Sequence, residues 1–137
     1  MSKKSKIFFF KKNPLELSFL DFINNLIIED FLLLNSKNEI YYPQELLFLK
    51  SETALTNKKH SFFIDDNKIG ENILGIYTKF GDKLNWNKEE GSFINLDADS
   101  TYEIRGNSLK MELVDRNGLW FNLEEENLSI FMIVSYD

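Results

Sequence analysis

The chain has 137 residues, a formal net charge of −6 and no cysteine. That length suits one domain spanning residues 1–137, able to bury a core without metal or disulfide support. The missing thiols exclude disulfides, cysteine nucleophiles and thiolate metal sites and fit a reducing compartment, while the acidity disfavours phosphate backbones; a cytoplasmic protein that does not bind nucleic acid is expected.

Met1–Lys12 opens like a signal peptide, but its apolar run, Ile7 to Phe10, is too short for the hydrophobic region of one. No other run reaches membrane-spanning length, so no membrane association is expected. Lys6 to Lys12 reads as an edge strand, with terminal lysines that discourage further pairing. From Asn13 the pattern predicts a helix. Asn13 suits an N-cap, Pro14 the first helical position, and Glu16 a capping-box carboxylate. Phe19, Phe22, Ile23, Leu26 and Ile27 share one helical face, and Phe31 and Leu34 extend it to about residue 34.

Asn35–Asn38 is a loop by composition, and Ile40–Tyr42 is extended ahead of Pro43. Gln44–Ser51 reads as a short helix burying Leu46, Leu47 and Leu49. After the polar loop Thr56–His60 the period changes to two. Phe62–Ile64, Ile73–Phe80, Ser92–Leu96 and Thr101–Arg105 are predicted strands between Gly, Asn and Asp clusters. Lys110–Asp115 and Leu119–Leu123 flank Asn117-Gly118, whose tolerance of positive φ makes a tight hairpin turn. Glu124–Asn127 makes a further turn before Ser129–Tyr136. Its run Ile130–Val134 lacks alternation, and this predicts a central strand buried on both faces. Helices first and strands afterwards define an α+β domain. The N-terminal helices would pack on one face of a mostly antiparallel sheet that ends in a C-terminal β-meander.

The groups that usually carry chemistry are sparse. His60 is the only histidine, and it sits in the basic loop edge Lys58–Ser61, where a surface position or strand start is expected. Asp97-Ala-Asp99-Ser-Thr101 opens like a calcium loop but has Tyr102 where glycine is needed and Ser108 where glutamate is needed. Asp65–Gly70 keeps the glycine but places Ile69 and Ile76 at ligand positions. Both read as turns between strands. Gly70-Glu-Asn-Ile-Leu-Gly75 has P-loop glycine spacing, yet Ile76-Tyr77 follows in place of Lys-Ser or Lys-Thr. No spacing singles out an acid–base pair of carboxylates. A protein without catalytic residues, metal or cofactor, and hence not an enzyme, is expected.

Partner recognition is where the pattern is more informative. Lys3, Lys4, Lys6, Lys11 and Lys12 hold five of the sixteen basic residues, so the rest of the chain is more acidic than the total suggests. Trp86 lies near Glu89 and Glu90, and Trp120 lies between Asp115 and the run Glu124, Glu125, Glu126. An aromatic within an acidic rim has the make-up of an anchor for a basic partner, because aromatic side chains dominate interface hot spots. The alternative is that each tryptophan closes one end of the core. Small size, acidity, absence of cysteine and absence of catalytic groups together resemble the immunity proteins of bacterial toxin systems, including those of contact-dependent growth inhibition. The resemblance lies in general character, not in a motif. It implies a cytoplasmic inhibitor that binds a cognate toxin domain, such as a basic nuclease, and blocks its active site. Asp115, Glu124, Glu125 and Glu126 would then capture the toxin and Trp120 or Trp86 would anchor it. A small ligand-binding module, or a phage or mobile-element accessory protein, is the competing expectation.

Overall fold

The computed structural model describes residues 4–23, 25–54, 60–80, 91–96, 102–103 and 106–137. Ten strands run through them: β1 (Lys4–Phe10), β2 (Leu15–Ser18), β3 (Asn25–Leu34), β4 (Leu47–Lys50), β5 (His60–Ile64), β6 (Asn67–Phe80), β7 (Gly91–Asn95), β8 (Tyr102–Glu103), β9 (Ser108–Val114) and β10 (Ser129–Tyr136). One sheet has the order β1-β10-β3-β8, and the other has β2-β9-β4-β6-β5 with β7 also beside β6. Every pairing is antiparallel. The fold is therefore all-β rather than α+β, since no helix occurs among the described residues. It follows that no described helix is long and apolar enough to cross a membrane.

The predicted helix over residues 13–34 is replaced by β2, a loop and β3. In β2, Leu15 and Leu17 are buried while Glu16 and Ser18 are exposed, which is strand alternation. In β3 the residues turned into the core are Leu26 and Ile28, then Phe31 and Leu33. A bulge explains that spacing: Val134 pairs Ile28 and Ile133 pairs Asp30, leaving Glu29 as the extra residue. The added residue shifts the alternation by one, so an interrupted period of two imitates one near four. The predicted helix over 44–51 is likewise strand β4. It lies between β9 and β6, with Leu47 and Leu49 turned into the main core and Phe48 packed on the other face with Phe62, Ile73 and Val114.

The two sheets pack face to face. Ile130, Met132 and Val134 of β10 join the β3 residues on one side, against Leu109, Met111 and Leu113 of β9 and the leucines of β2 and β4 on the other. Each such side chain contributes roughly 1.5–3 kcal/mol on full burial. The strand β10 is central to its sheet, as expected, but it is buried on only one face: Phe131 and Ile133 are half-buried on the outside. The strand β1 occupies the predicted edge. Tyr77 ties the sheets together. Its fully buried hydroxyl donates to the Tyr41 carbonyl at 2.9 Å and accepts from the Leu33 N–H at 3.0 Å.

Other predicted pieces find plain roles. Asp65 and Asp66, at φ 47° and 65°, form the two-residue turn between β5 and β6, and Gly70 and Gly75 lie inside β6. The segment 119–123 is no full strand. It makes a single bridge, Val114 to Trp120, before turning at 123–127. Of the predicted strand 101–105, Tyr102–Glu103 is strand and the remainder falls outside the described residues, as does Asp97–Ser100.

Candidate recognition site at one end of the sheets

Three connections leave the same end of the two sheets: 11–14, 35–46 and 115–128. Their common position follows from the registers, which set Phe10 against Ile130, Leu34 against Ser129 and Phe48 against Val114. Asn13 holds this end in place. It caps no helix; its carboxamide lies across two backbone segments, donating to the Leu113 carbonyl at 3.1 Å and the Phe121 carbonyl at 2.8 Å and accepting from the Leu113 N–H at 2.9 Å. Phe121 N–H also donates to the Leu113 carbonyl at 2.9 Å. The segment that carries Trp120 is thus fastened to β9 by side chain and backbone together.

The hairpin after β9 is a three-residue connection. Asp115 and Leu119 face each other through a 2.8 Å N–H to carbonyl bond, and Gly118, at φ 82°, closes the turn by donating to the Asp115 carbonyl at 3.0 Å. Asn117 takes no positive φ, so glycine alone supplies the left-handed residue that such a loop needs. The Asp115 carboxylate accepts from the N–H groups of Asn117 at 2.8 Å and Leu119 at 3.0 Å. Its first role is to shape the turn. Two apolar side chains then project from a rigid hairpin: Leu119 is 65% exposed and Trp120 is 52% exposed. Burying the rest of such an indole against a partner would yield on the order of 2 kcal/mol.

The expected carboxylates stand close by. Trp120 shares a cavity of about 270 Å³ with Lys12, Asn122 and Glu124. In the turn 123–127, Asn122 accepts from the Glu125 N–H at 3.0 Å and its amide approaches the Glu125 carboxylate at 3.3 Å, which ties Glu125 down. Glu124 and Glu126 are exposed. Asp115 lines a second groove of about 470 Å³ together with Tyr41, Tyr42, Glu45 and Phe121. Asp115, Trp120, Glu124, Glu125 and Glu126 are therefore brought to one end, whereas Trp86, Glu89 and Glu90 lie outside the described residues.

The surface is not uniformly acidic. Lys11 and Lys12 line a further groove at this end, about 630 Å³, beside Glu124. The sequence reading missed Leu119 as a protruding residue because it assigned 119–123 to a strand. It also missed the contribution of Tyr41, Tyr42 and Glu45, which only the return of the 35–46 connection brings near Asp115. Among the described residues no group of three or more His, Asp or Glu side chains could hold a metal ion. His60 begins β5 opposite Ile73, remote in sequence and topology from the carboxylates of the loop end.

Fold and site define the class: a two-sheet antiparallel β protein that presents a tryptophan-bearing hairpin and acidic turns at one end. Compared with known proteins, the chain matches no family model, no curated protein and no solved structure.

Proposed function

We propose that the chain is an immunity-type binding protein that captures a cognate, basic toxin domain in the cytoplasm and covers its active site. The observation that carries this reading is the exposure of Leu119 and Trp120 on a hairpin held by Asp115 and Asn13. A tryptophan that served to close the core would be buried; this one is half in solvent while the backbone beneath it is tied. A rigid aromatic anchor loses little conformational entropy on binding, which is what a hot spot requires. Glu124 and Glu126, with Asp115 and Glu125 nearby, supply negative potential around the anchor and favour a basic partner. Lys11 and Lys12 set one limit to that acidic rim, so the toxin's basic surface approaches from the side of the 115–126 segment.

The test is protection. The chain is co-expressed with candidate toxin domains, and the domain whose toxicity it suppresses is purified with it as a complex. Trp120→Ala is expected to weaken the complex by about 2–4 kcal/mol, read as Kd by calorimetry at a temperature where the free variant is folded. Full protection by a Trp120→Ala, Leu119→Ser double variant would overturn the reading.

A further inference from the structure

The groove beside the hairpin has a composition that the capture of a basic protein does not use. It is an open concavity of about 630 Å³. Lys11 and Lys12 line it, and neither makes an ion pair with a described residue. Glu124 is the only carboxylate among the described residues that line it.

The walls are built rather than loose. Asn35 spends its side-chain oxygen on the N–H groups of Lys37 at 2.9 Å and Glu39 at 3.0 Å, which leaves its amide N–H groups as donors. Asn38 donates to the Asn35 carbonyl at 2.9 Å, and on the opposite wall Asn127 donates to the Glu124 carbonyl at 3.2 Å. Asn38 and Asn127 both take left-handed backbone conformations, φ 61° and 54°, that fix the two turns. Beneath them, Leu123 and Leu128 are buried and give the groove an apolar floor. Phe9 closes one side. Its ring meets Phe131 at a centroid distance of 5.3 Å and is still 61% exposed.

Lysines at the end of an edge strand are commonly guards against further pairing. That role accounts for Lys11 and Lys12 and for nothing else here: not the amide-lined walls, the apolar floor or the open phenyl ring. Unpaired ammonium groups and amide donors suit phosphate oxygens, and an exposed ring beside them suits a planar body. We infer that this groove binds a small phosphorylated ligand that carries a planar ring, with Lys11 and Lys12 on the phosphates and Phe9 against the ring. The inference does not depend on toxin capture.

The test uses inorganic pyrophosphate and a nucleoside diphosphate as probes, titrated at constant ionic strength and followed by amide chemical shifts. Saturable shifts at Asn35, Asn38 and Asn127 are expected with both. The nucleoside diphosphate should bind about tenfold more tightly than pyrophosphate because of the ring contact. Lys11→Gln with Lys12→Gln should weaken both probes at least tenfold, whereas Lys68→Gln on the distant β6 should leave them unchanged. Phe9→Ala should erase the advantage of the nucleoside diphosphate and leave pyrophosphate binding as it was. Shifts scattered over all lysine-bearing surfaces, or equal affinity in the Lys11/Lys12 variant, would overturn the site. Equal affinity for the two probes in the wild-type chain would overturn the role of Phe9.

Discussion

At the scale of single residues, two side chains decide how firmly the loop end is held, and both act by satisfying backbone groups. Tyr77 carries its hydroxyl from β6 across the core to Leu33 and Tyr41. Tyr77→Phe keeps the ring, which packs against Phe31 at 5.8 Å, and removes only the oxygen. The Leu33 N–H and the Tyr41 carbonyl are then left without that partner inside the core, at a cost of about 1–3 kcal/mol. Denaturant unfolding checks this as a lowered midpoint with an unchanged slope. Asn13 does the same nearer the site. Asn13→Ala removes three hydrogen bonds to Leu113 and Phe121, with an expected loss of similar size. Faster amide exchange at Leu113 and Phe121 than at Met132 would distinguish local release from global destabilisation. The asparagine was visible in the sequence, and its role was not: a residue suited to cap a helix equally suits any backbone that presents paired N–H and carbonyl groups.

At the scale of elements, the fold depends on which faces the strands bury. Strand β7 lies against β6 because Gly75 has no side chain: a Cβ there would meet the Phe93 ring and come within 2.8 Å of the Ile94 carbonyl. Gly75→Ala should therefore push β7 away and cost about 1–3 kcal/mol. Gly70→Ala, where the nearest atom is Ile73 Cδ1 at 3.7 Å, should cost less than half as much. Loss of cross-strand contacts between Ile76 and Ile94 in the first variant alone is the expected spectroscopic result. Elements governed by local rules were legible in the sequence: the edge position of β1, the Asp65-Asp66 turn, the bounds of β10 and the turn at Gly118. Those governed by tertiary context were not. The bulge at Glu29 gave β3 a helical rhythm, the doubly covered strand β4, Leu47-Phe-Leu49, was read as a helix, and the apolar run of β10, read as buried on both faces, is buried on one. Whether the second face of a strand is covered depends on what the rest of the chain lays over it, and no window of sequence contains that.

At the scale of the whole molecule, two stacked sheets make a scaffold whose connections at one end carry the proposed recognition site. Loops on such a support can hold a protruding tryptophan at low entropic cost, while the core beneath remains apolar and continuous. The clustering of Asp115, Trp120, Glu124, Glu125 and Glu126 was legible because they are near one another in the chain. Tyr41, Glu45 and Lys12 join them only through folding. In the proposed function net acidity acts through encounter: long-range potential raises association rates and falls away with salt. Glu124→Lys with Glu126→Lys reverses that potential beside Trp120 and leaves the turn-forming contacts of Asp115 and Glu125 intact. The most direct measurement is the association rate constant of the chain with the toxin domain identified by the protection test, followed from low to high ionic strength for the wild type and this double variant. A wild-type rate that falls at least about tenfold with added salt, beside a variant that is slow throughout, is the predicted result. Equal rates with no dependence on salt would contradict electrostatic capture at this end of the molecule.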